Sequence, residues 1–270
     1  MDLNKKIKDW LDEQGYPLEM RVASSFQKKG FRVIQSEYFE DHESGKMREV
    51  DVVAHLQHEY DDILVQLQLV IETKQSKHPW VLFCSESIKL SDPARVAQRS
   101  SCSKGKLFLR SIAKKKAIFN LPIFAIPICP AYALTQAFTQ RTDASYSALV
   151  SVSKACAAKA KEMTEYIKAT GQKIIEINFP LLVLSGGLHN AKLKKNSDID
   201  VEAVDSSVLV WRNPILSPAH SIVHIADESN LDKLINDFYD SFVFLFDYIE
   251  KEGKEKLSKI MEERPPVTFI

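Results

Sequence analysis

An acidic and a basic side chain stand two residues apart at the end of an apolar stretch, Leu64–Ser76. The stretch reads LVQLQLVIETKQS, which is typical of a β-strand that begins in the core and ends at the edge of a sheet. Because residues two apart on a strand share a face, Glu72 and Lys74 are expected to be neighbours there. A carboxylate beside an ammonium at such a place predicts metal-assisted hydrolysis.

The spacing alone does not identify a site, because Glu252-Gly253-Lys254 repeats it near the C-terminus. A further acid distinguishes the first motif. Asp51 lies between Val50 and Val52 in the predicted strand Met47–Gln57, although aspartate is disfavoured in the centre of a strand. Two acids on successive strands, with a lysine two residues after the second, therefore favour a functional site over a chance pattern.

Hydrolysis of a phosphodiester explains why these residue types belong together. Carboxylate oxygens bind a divalent cation and leave positions for water and substrate. A lysine beside them orients or deprotonates the attacking water and stabilises the charge on the phosphorus. Glu19, in the first turn of the predicted helix Leu18–Lys29, is a further candidate, although a glutamate there often serves only the helix dipole.

Composition restricts the class of protein. The chain of 270 residues has a formal net charge of zero, which argues against a general polyanion binder and still permits a local basic cleft. The four cysteines show no metal-ligand spacing, which favours reduced thiols. The N-terminus lacks the apolar region of a signal peptide, and the apolar run Ile123–Leu134 is short and contains prolines. We therefore expect a cytoplasmic protein with no membrane partner.

The order of the predicted elements is helix, three strands, helix, strand, followed by a C-terminal extension. We expect a single elaborated domain with a core at 16–76 and 145–187, an insertion at 77–144 and an extension at 188–270. The elements after the first helix are strands Phe31–Phe39, Met47–Gln57 and Leu64–Ser76, helix Ser145–Thr170, strands Lys173–Phe179 and Leu181–Ser185 separated by Pro180, a hairpin of Asp200–Val204 with Ser207–Trp211, strand Ser221–Ile225, and helix Asn230–Glu252.

The motif and this order resemble the PD-(D/E)XK, or restriction-endonuclease-like, nuclease superfamily. The resemblance implies an α/β fold with an α-β-β-β-α-β core around a central mixed sheet, to which this chain adds a β-hairpin and a C-terminal helix. It implies Asp51 and Glu72 as ligands of Mg²⁺ (or Mn²⁺), Lys74 as the catalytic lysine, Glu19 as an accessory ligand and Thr73 as part of the ligand set. The expected substrate is nucleic acid, with DNA favoured. The chain departs from the family in having no proline before Asp51 and in its large insertion.

Two other interpretations remain open. The first is a nuclease-fold binding or assembly module that no longer cuts. The second is a nucleotidyltransferase, because Gly186-Gly187 followed by Asp198-Ile199-Asp200 resembles the signature of the polymerase-β-like family. That family needs a third carboxylate on a following strand, and Ser207–Trp211 contains none.

Basic and aromatic residues suggest partners without identifying them. If the chain is a nuclease, lysine clusters should line a cleft and contact phosphates, although each cluster is also consistent with a solvated surface. The aromatic helix around Phe238–Phe246 favours either a homodimer interface or a core element. The clusters are Lys104, Lys106, Arg110 and Lys114–Lys116; Lys192, Lys194 and Lys195; and Lys154, Lys159 and Lys161.

Overall fold

The computed structural model describes residues 2–88, 100–113, 115–139, 143–212 and 220–263. The described strands are β1 (Arg32–Asp41), β2 (Lys46–Tyr60), β3 (Ile63–Lys74), β4 (Trp80–Cys84), β5 (Ala131–Gln136), β6 (Ile174–Leu184), β7 (Leu188–Leu193), β8 (Ile199–Ala203), β9 (Ser206–Arg212) and β10 (His220–Asp227). They form one mixed sheet in the order β1-β2-β3-β6-β10-β9-β5-β4-β7-β8. The α/β class and the central mixed sheet are thereby confirmed.

Helices cover both faces of this sheet. Those described are α1 (Leu3–Gln14), α2 (Tyr16–Lys29), α3 (Ser103–Ile112), α4 (Lys116–Phe119), α5 (Asp143–Thr170), α6 (Leu231–Tyr248) and α7 (Lys254–Glu262). A 3₁₀ turn, Glu228–Asn230, precedes α6, and a π-helical turn, Ile249–Gly253, joins α6 to α7. None of these helices is both long and apolar enough to cross a membrane.

Alternation along the central strands creates two hydrophobic cores. Leu67, Leu69 and Ile71 of β3 face α2, α3 and α6 in the larger core. Val70 of β3 and Leu182 of β6 face α5 in the second core. Both β3 and β6 therefore carry apolar residues on both faces, as expected for strands at the centre of a layered α/β protein.

The strands nearest the candidate residues form a unit of four. β1 pairs antiparallel with β2, and β2 pairs antiparallel with β3. β3 then pairs in parallel with β6, from Leu64 beside Ile174 to Lys74 beside Leu184. A parallel pair requires a crossover connection, and this one includes α5, which covers one face of both strands.

The predicted break at Pro180 is wrong, because β6 runs through it from Ile174 to Leu184. The backbone of Glu176 bonds to Cys102 on the side of β6 away from β3, and the Asn178 carbonyl accepts from the Ser100 hydroxyl. Alternation directs the missing N–H of Pro180 to that same side. Pairing with β10 begins only at Leu181. The proline thus lies where the strand needs no donor.

The predicted hairpin of Asp200–Val204 with Ser207–Trp211 is also wrong. β8 pairs antiparallel with β7, and β9 pairs antiparallel with β10. The two consecutive strands β8 and β9 therefore lie in different parts of the sheet, separated by β5, β4 and β7. The appended hairpin is formed by β7 and β8, and the short polar segment at 194–198 joins them.

The segment predicted as an insertion contributes β4 and β5 to the same sheet. Its helix α3 lies so close to β6 that a Cβ atom on Gly105 would stand 2.2 Å from the Glu176 carbonyl oxygen. The four cysteines are free thiols, as the sequence predicted. Phe238 and Phe242 of α6 are fully buried in the larger core, as the core interpretation predicts, whereas Phe244 of the same helix is exposed.

Candidate active site

The candidate residues lie where β2 separates from β3. Pairing between these strands runs from Tyr60 beside Ile63 to Val52 beside Ile71 and stops there. Asp51 is the first residue of β2 beyond the paired region, while β3 continues to Lys74 along β6. This separation explains why an aspartate is tolerated in the apolar strand β2. Asp51 lies in a gap between strands and not in the interior of the sheet.

Asp51 is held by the neighbouring strand. Its Oδ2 atom accepts hydrogen bonds from the backbone N–H of Thr73 at 2.7 Å and from the Thr73 hydroxyl at 2.9 Å. Hydrogen bonds to a charged acceptor are stronger than neutral ones. Thr73, predicted as part of the ligand set, therefore donates to Asp51 in this structure and fixes the orientation of its carboxylate.

Glu72 and Lys74 are neighbours, as the strand period predicts. Lys74 Nζ lies 2.7 Å from Glu72 Oε1. The other carboxylate oxygen, Oε2, accepts a hydrogen bond from the Ser151 hydroxyl of α5 at 2.9 Å. Glu72 is 7% exposed, so this carboxylate is buried and both of its oxygens have partners.

Glu19 completes the group, which we call the candidate site: Glu19, Asp51, Glu72 and Lys74. Pro17, in the first turn of α2, directs the helix so that Glu19 also lies in that turn. Glu19, Asp51 and Lys74 line one cleft of about 610 Å³, whose remaining wall comes from the C-terminal end of α1 and from the segment after β3. The other lining residues are Asp12, Glu13, Gln14, Gly15, Thr73, Gln75, Ser76 and Lys77.

The candidate site contains three carboxyl groups and one ammonium group, and their burial and charges shift one another's pKa values. Burial, followed by the charges of Asp51 and Glu49, raises the pKa of Glu19 to about 7. Burial and the charge of Asp51 also raise the pKa of Glu72. Burial alone would lower the pKa of Lys74, but the surrounding carboxylates outweigh it and raise that pKa. Three carboxyl groups thus share one ammonium, which remains protonated.

This donor set is chemically suited to Mg²⁺, although it is not arranged as a cage. Within the described ranges, no three His, Cys, Asp or Glu side chains are grouped closely enough to hold a metal ion. Magnesium sites often use one or two carboxylates and complete the shell with water and substrate phosphate. Asp51 and Glu72 are sufficient for such a site. The pKa values of Glu19 and Glu72 are raised first by burial and then by the charge of Asp51, and a bound cation would lower both.

Sequence reasoning missed Ser151 and the acidic rim of the cleft. Ser151 lies in α5 next to Val152 of the second core, and a serine there is ordinary in an alanine-rich helix. Its role appears only when α5 packs over the end of β3. Asp12 and Glu13 belong to α1, which the sequence separates from the motif by about sixty residues; the Gln75 amide donates to the Asp12 carbonyl at 2.8 Å and ties the two regions together.

The structure does not bring the residues of the nucleotidyltransferase interpretation together. Gly186 and Gly187 precede β7, whereas Asp198 and Asp200 follow its other end. Lys192 pairs with Asp200 across the hairpin, so the two halves of the motif are separated by about 16 Å of strand. Asp200 forms ion pairs with Lys192 and Lys194. Gly186 instead permits close packing, because a Cβ atom there would lie 2.7 Å from the Ser76 carbonyl oxygen.

Most of the described lysines in the predicted clusters have structural partners. Lys104 is buried, and its ammonium donates to the carbonyls of Ile260, Met261 and Glu263 at the end of α7. Lys154 and Lys159 of α5 pair with acids of the β1–β2 region, namely Asp41, Glu43 and Glu37. Lys115 pairs with Glu252 of the second Glu-x-Lys. Lys114 lies outside the described residues.

Comparison of the chain with protein-family models, with curated proteins and with solved structures finds no match. The candidate site is therefore the feature of this chain that bears on its function.

Proposed function

We propose that this chain is a metal-dependent nuclease that hydrolyses phosphodiester bonds, with DNA as the favoured substrate. The observation that carries the proposal is the meeting of Asp51, Glu72 and Lys74 at the end of β3, beside a cleft and under a shared negative potential. Asp51 of β2 comes from a part of the chain that is separate from the Glu72–Lys74 pair of β3, and it is held beside that pair by its hydrogen bonds from Thr73.

The arrangement of elements supports the same proposal. The chain contains the elements that the PD-(D/E)XK resemblance implies, in the implied order: α2, β1, β2, β3, α5 and β6, with the predicted insertion between β3 and α5. β3 lies between an antiparallel and a parallel neighbour. The resemblance rests on this order and on the four site residues, since no related protein was matched.

The chain's own groups have separable tasks in this proposal. When bound, Mg²⁺ supplies charge neutralisation at the phosphate and an acidified water. Asp51 and Glu72 would be its ligands, with Glu19 as the accessory ligand. Thr73 orients Asp51, and Ser151 orients Glu72. Lys74, held in its ammonium form, is suited to orienting the attacking water and to stabilising the negative charge that builds on the phosphorus.

A second candidate function is a nuclease-fold module that binds nucleic acid without cutting it. The ion pair between Lys74 and Glu72 favours this candidate, because it engages a proposed ligand and the proposed catalytic lysine with each other.

The deciding experiment incubates the purified full chain with Mg²⁺ or Mn²⁺ and with duplex, branched and single-stranded DNA and RNA. We expect cleavage of a DNA form that EDTA abolishes. Asp51→Asn and Lys74→Met should each reduce the rate at least about 100-fold, in line with the loss of a group acting in the transition state.

The second Glu-x-Lys supplies a matched control. Lys254→Met removes an exposed lysine that pairs with Glu250 on the surface, so cleavage should be unchanged. If the wild-type chain binds DNA but cleaves none of the substrates with either metal, the second candidate function, a binding module that does not cut, is the correct one. Equal cleavage by wild type and Lys74→Met would point to a contaminating nuclease and would count against the proposal.

A further inference from the structure

Helix α1 presents an apolar stripe to solvent. Within the described part of the chain, none of its 12 residues is buried. Leu3 is 68% exposed, Ile7 46% and Trp10 53%, and the stripe continues onto exposed Tyr16 and Met20 at the start of α2. Single exposed apolar residues are ordinary, but a contiguous row of large ones marks an interaction surface.

The stripe has the spacing of a coiled coil. Leu3 and Trp10 occupy d positions of a heptad, and Ile7 and Gln14 occupy a positions. Lys6 and Glu13 then fall on the two g positions along one side of the stripe. Both are exposed, and neither is in a described ion pair. The g positions of a coiled coil determine partner choice and orientation through their charges.

The charges of α1 are arranged against its own dipole. Lys5, Lys6 and Lys8 lie in the N-terminal half, and Asp9, Asp12 and Glu13 lie in the C-terminal half. Beyond the N-cap residue Asp2, which accepts from the Asn4 N–H, the first turn contains no acidic residue and the last turn no basic residue, the reverse of what the helix dipole favours. An antiparallel helix carrying the same charges would compensate both ends.

We propose that α1 pairs antiparallel with α1 of a second copy of this chain about a two-fold axis. In that arrangement Ile7 of one copy packs on Trp10 of the other, and Leu3 on Gln14. The g positions then meet each other, so Lys6 of each copy faces Glu13 of the other, and both ion pairs form by symmetry. A parallel pair would set Lys6 beside Leu11, at an e position, and would form neither ion pair.

The inference does not depend on the proposed function. It rests on the exposure, spacing and charge order of α1, and it holds whether or not the chain cuts nucleic acid. A pair of 12-residue helices is short, so the dimer should depend on protein concentration and gain area from Tyr16 and Met20. Because the C-terminal end of α1 lines the cleft, the dimer would also bring two clefts near one axis.

Sedimentation velocity of the full chain over a concentration series tests the proposal, with far-UV circular dichroism to verify that every variant is folded. We expect a monomer–dimer equilibrium. Ile7→Glu should abolish the dimer. Lys6→Glu and Glu13→Lys should each weaken it about tenfold or more by placing like charges opposite each other, and the double exchange should restore it.

Lys5→Glu is the matched control, because it makes the same charge change in the same turn on the opposite side of α1. It should leave the dissociation constant unchanged. A wild-type chain that stays monomeric throughout would overturn the proposal, as would a dimer that tolerates Ile7→Glu. A double exchange that fails to restore the dimer would overturn the antiparallel pairing.

Discussion

Two buried glutamates, Glu72 and Glu176, lie on the face of the sheet that α5 covers, each within a group of polar residues. One group is the candidate site, at the end of β3. The other group, which we call the midsheet group, lies farther back along β3 and β6 and consists of Gln66, Gln68, Glu176 and Asn178. Each group contains a glutamate whose pKa is raised first by burial.

The two groups differ in what surrounds the buried carboxylate. Glu176 accepts hydrogen bonds from the amides of Asn178 at 2.9 Å and Gln66 at 3.4 Å, and Gln68 donates to Asn178. Glu72 has a lysine, a serine and the unfavourable charge of Asp51. The charges of Lys159, Glu37 and Glu162 also act on Glu176, but the hydrogen bonds to its carboxylate come from neutral amides. At Glu72 the nearby acid lies beside a cleft, where a bound cation would offset its charge. Burial of a carboxylate alone therefore does not identify an active site.

Replacing each glutamate by glutamine is the strongest test of this contrast. Glu72→Gln should lower DNA cleavage at least about 100-fold, because it removes a charge that acts on the metal and on Lys74. Glu176→Gln should leave the rate per folded molecule unchanged. Steady-state cleavage assays, normalised to the folded fraction, make the comparison. Equal losses in both variants would show that the midsheet group also serves the reaction.

The sequence predicts the parts of this contrast that depend on residues close together in the chain, and it does not predict those that depend on distant segments. Glu72 and Lys74 share a strand face, and their contact follows from the strand period alone. Asp51 was recognisable because an acid is out of place inside an apolar strand. Ser151 and the continuous strand through Pro180 were not predictable, since each depends on a distant segment: α5 packing over β3, and residues 100–102 bonding to β6. The pairing of β8 with β7 is likewise set by the order of the whole sheet.

The titration of Glu176 should make the stability of the protein fall as pH rises. Burial raises its pKa from 4.5 to about 7, so between these values the folded state holds a proton that the unfolded state has lost. The stabilisation is complete below pH 4.5 and is lost by pH 7, with a magnitude on the order of 3 kcal/mol. Denaturant unfolding at several pH values should show this fall. Glu176→Gln, which mimics the protonated form, should remove the part of the fall that comes from Glu176 and leave the part that comes from Glu19, whose pKa is also about 7. An unchanged slope would contradict the assignment.

Asn178 should matter for stability and not for catalysis. It is fully buried, donates to Glu176 and accepts from Gln68. Asn178→Leu keeps the branching at Cγ but removes the hydrogen bond to Glu176 and the acceptor of Gln68, which should cost about 1–3 kcal/mol in the free energy of unfolding. Chemical denaturation measures the loss, and cleavage by the folded fraction should be retained. A variant as stable as the wild type would mean that the midsheet hydrogen bonds contribute nothing net.

Substitutions at Ser151 can distinguish a serine that only supports the fold from one that positions Glu72. Its hydroxyl donates to Glu72 Oε2 and lowers the pKa of that carboxyl, against the larger effects of burial and of Asp51. Ser151→Ala should therefore raise the pKa of Glu72 further and move the acidic limb of the pH–rate profile to higher pH. The cost of one such hydrogen bond, about 1 kcal/mol, corresponds to a loss of several-fold in rate at neutral pH.

Ser151→Thr, which keeps the hydroxyl, should restore both the rate and the position of the limb. A merely structural serine would change the stability of the protein and leave the profile in place. The pH–rate profile therefore shows whether α5 only covers the sheet or also lowers the pKa of Glu72 beneath it.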